Sequence, residues 1–111
     1  MSKVIDQLNA HMGIPDGVKF EAGEGGFVRA VMTAGGATAH VYLHGAHVTH
    51  FQPAGQEPVI FMSKASRFEA GKAIRGGVPI CFPWFGPKAD DAKAPMHGFA
   101  RDRNWKFKTV E

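Results

Sequence analysis

The sequence predicts an all-β protein, an antiparallel β-sandwich preceded by one short helix. Three observations carry this reading. After Pro15, apolar residues recur at alternate positions in short runs, the period of half-buried strands. Glycine pairs, Gly25-Gly26 and Gly35-Gly36, separate those runs at a spacing of about 8–12 residues, which suits a sandwich or barrel. No segment shows the strand-then-helix alternation of a βαβ fold.

Residues 2 to 12 are the exception to the period of two. Val4, Ile5, Leu8 and Met12 recur at helical spacing, Ser2 can cap the start, and Gly13-Ile14-Pro15 ends the run. Val18, Phe20 and Ala22 then alternate as a first strand. Phe27 to Met32 reads as a second strand and Ala37 to Leu43 as a third. Gly45 interrupts, after which Val48, His50 and Gln52 alternate with His47, Thr49 and Phe51. Pro53 to Glu57 forms a turn before Val59-Ile60-Phe61-Met62, and Trp105 to Val110 alternates as a last strand. A strand needs a neighbour or a protected edge. The chain stops one residue after Val110, so the sheet is expected to continue in residues not present here.

The length of 111 residues allows one domain with a modest core. A hydrophobic share of 44% and a charged share of 21% are those of an ordinary globular protein. The single cysteine, Cys81, excludes an internal disulfide, and its apolar neighbours suit a buried, inert thiol. The first residues lack the apolar core of a signal peptide and no run reaches membrane-spanning length, so a cytoplasmic location is expected. The net charge is +3 and the pI about 9.3. The eight lysines and five arginines are scattered rather than gathered in a block or stripe. That distribution fits a positive anion pocket, with no nucleic-acid or membrane partner.

Chemistry concentrates between Ala73 and Trp105. In Arg75-Gly76-Gly77 the glycines let the backbone turn tightly and a ligand approach the main chain, while Pro79 and Pro83 stiffen the adjoining loop. The same pattern also fits a surface arginine beside a plain turn. In Pro95-Met96-His97-Gly98-Phe99-Ala100-Arg101, an extended backbone would put His97, Phe99 and Arg101 on one face. Two guanidiniums can grip a phosphate, an imidazole can hydrogen-bond near neutral pH, and Phe82, Trp84 and Phe85 among prolines can wall a sugar ring. A backbone-bonded histidine and a salt-bridged arginine would give the same string. His44, His47 and His50 invite a metal reading. In a regular strand, however, His47 faces away from the other two, and His44 and His50 lie about 20 Å apart at ~3.3 Å per residue. They read as ordinary strand histidines, with no metal, unless the strand bends at Gly45. Lys88 to Lys93 reads as a solvated loop.

Residues Ile74 to Pro87 and Met96-His97-Gly98-Phe99-Ala100-Arg101, with Gly45-Ala46-His47-Val48-Thr49 upstream and Trp105 downstream, resemble the glucose-6-phosphate 1-epimerase family. These are hexose-6-phosphate mutarotases within the aldose 1-epimerase (galactose mutarotase-like) superfamily. Residues 1–16 read as a helix and lead-in, and the resemblance, which runs from about Gly17, implies the N-terminal portion of a mutarotase-like β-sandwich over 17–111. It implies a phosphorylated aldohexose such as glucose 6-phosphate as substrate, with Arg75 and Arg101 holding the phosphate and His97 as a supporting catalytic group that orients the sugar. Met96 stands where some members carry a polar substrate contact. The implied reaction is acid–base ring opening and reclosure, without cofactor. Its main acid, a histidine, and its base, a glutamate, come from later segments, and neither Glu69 nor Glu111 fits the base. The chain by itself is therefore expected to bind poorly and to be inactive. A non-catalytic sugar-phosphate-binding module and a self-associating β-sheet fragment are the alternatives, and pairing with the missing C-terminal part is a further expectation.

Overall fold

The structure, a computed structural model, describes residues 2–110, without the side chain of Ser2. The expected Ser2 cap therefore lies outside the described residues, as does Glu111. Helix α1 (Ser2–Met12) is followed by strands β1 (Val18–Ala22), β2 (Val28–Ala34), β3 (Ala37–Tyr42) and β4 (His47–Gln52), with a 3-10 turn at Ala100–Asp102. The four strands pair in sequence order as one antiparallel sheet, β1-β2-β3-β4. The all-β expectation with one short N-terminal helix holds. The Gly35-Gly36 turn has φ of +58° and +83°, the left-handed pair that a two-residue hairpin requires and glycine supplies without strain.

The core follows from the two periods. Ile5, Leu8 and Met12 come from one face of α1; Phe20, Val28 and Ala30 come from one face of β1 and β2. Phe20 and Ala30 are fully buried and stand opposite each other, so a large ring lies across a small partner. Phe107 meets Phe20 edge-on, with ring centroids 4.8 Å apart and planes at 84°. Val4, one residue off the helix stripe, is 49% exposed. Asn9 fixes α1 to the open edge of the sheet. Its Nδ2 donates to the Phe20 carbonyl at 2.9 Å, and its Oδ1 accepts from the Phe20 N–H at 2.7 Å. Two backbone groups of an edge strand are thereby satisfied and screened from another chain.

Two expected strands do not form. Val59 to Met62 touches its neighbours through single bonds, the Val59 N–H to the Phe51 carbonyl and the Gly77 N–H to the Phe61 carbonyl. Phe61 is 77% exposed there. Among the described residues Trp105 to Val110 makes one such backbone bond, from the Trp105 N–H to the carbonyl of Leu43, just past the end of β3, at 2.8 Å. Alternation makes a segment able to pair, but a strand exists only where a second backbone offers a continuous ladder. Among the described residues neither segment has one.

Asn9→Ala should lower stability by about 1–3 kcal/mol, because it leaves edge groups without partners. Phe20→Ala should cost about 3–5 kcal/mol through the cavity it opens. Equilibrium urea unfolding measures both, and a neutral Asn9→Ala would show that the edge is held by packing alone.

Candidate functional site

Two loops converge on one cavity of about 420 Å³. Residues 65–75 bring Arg67, Lys72 and Arg75, and residues 95–102 bring Met96, Arg101 and Asp102. The sequence marks Arg75, Met96 and Arg101 as candidates up to 26 positions apart, yet they share this cavity. Four cationic residues, Arg67, Lys72, Arg75 and Arg101, line it with one acidic residue, Asp102. The ion pairs among the described residues are Arg29–Glu21 and Lys88–Asp90, so none of the four is neutralised by a carboxylate there. The Arg101 guanidinium donates to the Met96 carbonyl at 3.1 Å, which ties the two ends of its own loop. Such an array can attract an anion, and arginine adds the planar fork that phosphate oxygens match.

The loops are placed by the corner between β3 and β4. His44 and His47 are 3% and 0% exposed. The His44 Nε2 bonds the Lys72 carbonyl, and the His47 Nε2–H donates to the Gly76 carbonyl at 2.6 Å. From the same corner, the Gly45 N–H donates to the Arg103 carbonyl at 2.7 Å and the Leu43 carbonyl accepts from Trp105. The indole of Trp105 closes the Ala100 carbonyl at 2.9 Å. Both arginine loops therefore hang from residues 43–47. The expectation that His44 faces away from His47 is corrected: His44 lies before the strand, and Gly45 and Ala46, at φ +76° and +47°, turn the chain between them. His50 instead stacks on His40 across the ladder at 4.5 Å.

The Arg75-Gly76-Gly77 turn is shaped by protein rather than by ligand. A Cβ on Gly77 would lie 2.8 Å from the His47 Nε2 and would strike the Val48 carbonyl. One on Gly76 would meet the Met62 Cα at 2.7 Å. The glycines let β4 and residues 61–63 close on the turn, leaving the Arg75 side chain to the cavity. Burial first, and then the electrostatic influence of nearby His44 and Arg101, hold the His47 imidazole below its ordinary value of 6.5, against the bond to Gly76, which raises it. With Nε2–H donating, Nδ1 is a buried acceptor without a partner among the described residues.

His97 is not in the cavity wall. The segment is not extended: His97 has φ +64°, Gly98 has φ +74°, and residues 100–102 form the 3-10 turn. The shared face expected for His97, Phe99 and Arg101 is thus corrected by the backbone. His97 and Gly86 bond reciprocally, the His97 N–H to the Gly86 carbonyl at 2.8 Å and the Gly86 N–H to the His97 Nδ1 at 2.9 Å. An amide N–H only donates, so Nδ1 accepts, and in neutral His97 the hydrogen sits on Nε2. The aromatic run does not wall the cavity either. Phe82 and Phe85 are 62% and 80% exposed, Cys81 is half-buried, and Trp84 donates to the Pro95 carbonyl at 2.8 Å. The apolar part of the wall is Pro95, Met96 and two alanines instead. Sequence reading missed Arg67 and Lys72 as cavity residues and the two buried histidines as supports. Lys72 stands three residues before Arg75, but nothing in that spacing says which way a loop lysine faces.

The chain belongs to the aldose 1-epimerase family, whose sequence profile matches residues 29–111. Over 67 residues, 60% of this chain, it is 51% identical to an Escherichia coli protein named "Putative glucose-6-phosphate 1-epimerase". A Salmonella typhimurium protein of the same name is 50% identical over 66 residues. Each alignment covers 22% of the relative, so the chain matches about a fifth of the length of these proteins. Among solved structures, a "putative mutarotase" from Salmonella typhimurium superposes with a TM-score of 0.78 at 35% identity, over 95% of this chain and 36% of that one. Among the described residues no helix is long and apolar enough to cross a membrane.

Two measurements probe this arrangement. His40, like His47, is held low, by burial first and then by Arg29 and His50. As pH falls through 6.5 the unfolded chain takes up protons that these folded imidazoles refuse, so stability is full above that value and declines below it. Melting temperature should be flat above pH ~7 and drop below it, with a shallower acid slope in His47→Gln; an unchanged slope would remove His47 as a titrating support. His97→Asn should melt like the parent, since asparagine tolerates a left-handed φ and its Oδ1 can accept from Gly86. His97→Val should melt lower, and equal melting of the two would deny the Gly86 clasp its role.

Proposed function

We propose that this chain supplies the phosphate-gripping part of a hexose-6-phosphate mutarotase, a cytoplasmic isomerase that interconverts the α and β anomers of glucose 6-phosphate. Residues 1–16 act as helix and lead-in, and residues 17–111 as the N-terminal portion of a mutarotase-like sandwich. One observation carries the reading: Arg75 and Arg101, from separate loops, line a single cavity with Met96. Its cationic balance suits a phosphate dianion, and its size suits a monosaccharide.

In this reading Arg75 and Arg101 bind the phosphate and fix where the ring lies. His97 serves as a supporting group through its Nε2–H, which the bond between Nδ1 and the Gly86 N–H leaves uncommitted. The Met96 contact is made by the main chain, because a thioether offers a sugar hydroxyl little. Mutarotation then needs a base to take the anomeric hydroxyl proton and an acid to protonate the ring oxygen as the C1–O5 bond breaks. Rotation of the exposed carbonyl and the reverse proton movements give the other anomer. The histidine acid and glutamate base are supplied by the longer family fold, so this chain alone binds poorly and does not accelerate exchange, and no cofactor takes part.

NMR of glucose 6-phosphate tests the reading. This chain should bind the sugar weakly, and anomer exchange should accelerate only in protein that also carries the remainder of the fold. Arg75→Ala or Arg101→Ala should weaken glucose 6-phosphate binding roughly 10- to 100-fold, the loss of one charge-assisted bond of ~1.5–3 kcal/mol, and leave glucose nearly untouched. Equal losses for both sugars would make the arginines structural. Binding without acceleration in the longer protein would favour a non-catalytic binding module. Concentration-dependent association without saturable sugar binding would favour the self-pairing sheet.

A further inference from the structure

We infer that Lys72 is a specificity-determining residue of this cavity, an ammonium positioned to favour a phosphorylated sugar over a neutral one. The inference rests on the proposed phosphate role of the cavity and extends it to a residue that the mutarotase reading does not use.

Three features single out Lys72. It lines the cavity with Arg67, Arg75 and Arg101, and belongs to neither ion pair found among the described residues. Its backbone is pinned on both sides: the carbonyl accepts from the His44 imidazole, and the N–H donates to the Glu69 carbonyl at 3.1 Å. The pin is itself built into the interior. His44 is 3% exposed and stacks on Phe27, with ring centroids 4.6 Å apart and planes at 29°. Taking an imidazole out of water costs free energy that a solvated lysine on a surface loop does not require. Here that imidazole fixes the one peptide from which the ammonium projects.

Fixing the peptide matters for selection. A lysine on a free loop must lose backbone and rotamer freedom on binding, which offsets most of the attraction to a phosphate. With its backbone already ordered, Lys72 loses only side-chain freedom, and three neighbouring cations raise the local positive potential that draws an anion in. Arg67 shares the wall but has no comparable hold, so its contribution should be the smaller.

NMR-detected titration of the 111-residue chain with glucose 6-phosphate and with glucose tests this. Lys72→Met should bind glucose 6-phosphate about 10-fold more weakly, as loss of a charge-assisted bond predicts. Glucose binding should not change, and Lys72→Arg should restore most of the preference. Arg67→Met should cost about 5-fold at most, in the range of exposed pairs. Lys88→Met, whose ammonium pairs with Asp90 outside the cavity, is the control and should match the parent. If Lys72→Met leaves phosphate-sugar binding intact while Arg101→Ala weakens it, the role of Lys72 is overturned and the phosphate cavity stands. Equal weakening for both sugars would also overturn it, by making the lysine structural. If neither Lys72→Met nor Arg101→Ala changes binding, or the parent chain binds neither sugar, both readings fall together.

Discussion

The cavity depends on the corner between β3 and β4. Within five residues, Leu43 to His47, the chain offers two imidazoles, an amide and a carbonyl to segments that are otherwise irregular. Each bond reaches roughly 25 to 60 positions along the sequence, and each lands beside a residue that faces the cavity or comes after one. Long loops without ladders have little to order them except such contacts, because every ordered residue costs about 1–2 kcal/mol of backbone entropy. The sheet is thus a platform, and its corner decides where the cations stand.

Histidine suits that task for a chemical reason. A neutral imidazole can donate to a carbonyl deep in the interior without the desolvation cost of a full charge, which a lysine or arginine in its place would carry. The cations themselves are left at the rim, where water and a ligand can reach them. The division runs through the whole site: buried imidazoles hold backbone, and charged groups stay at the solvent-facing rim. His47 shows the cost of the arrangement, since its Nδ1 stays buried without a partner among the described residues. The His97–Gly86 clasp repeats the logic at the second loop, using Nδ1 on backbone and leaving Nε2–H uncommitted.

Much of this is legible in the sequence. The helix over 2–12, the strands beginning at Val18 and Ala37 and the glycine-pair turns come from local period and φ preference, and the structure repeats them within a residue or two. Arg75, Met96 and Arg101 are legible as one group because of the motifs that contain them. The failures share one cause. Val59 to Met62 and Trp105 to Val110 carry strand patterns without a partner ladder, and His97 to Arg101 carries an alternation that positive φ at His97 and Gly98 breaks. Each pattern describes what a segment can do, whereas pairing and φ are settled by what surrounds it.

The sequence alone determined the local grammar of this chain: which stretch coils, which stretches extend, where glycine must turn them, and which arginines stand beside glycine-rich turns. Only the tertiary structure decided that Lys72 and Arg67 face the same space as those arginines, that His44 and His47 act together, and that the aromatic run lies elsewhere. Side-chain direction in an irregular loop has no period to read. It is set by hydrogen bonds from distant backbone, and such bonds exist only once the chain has folded.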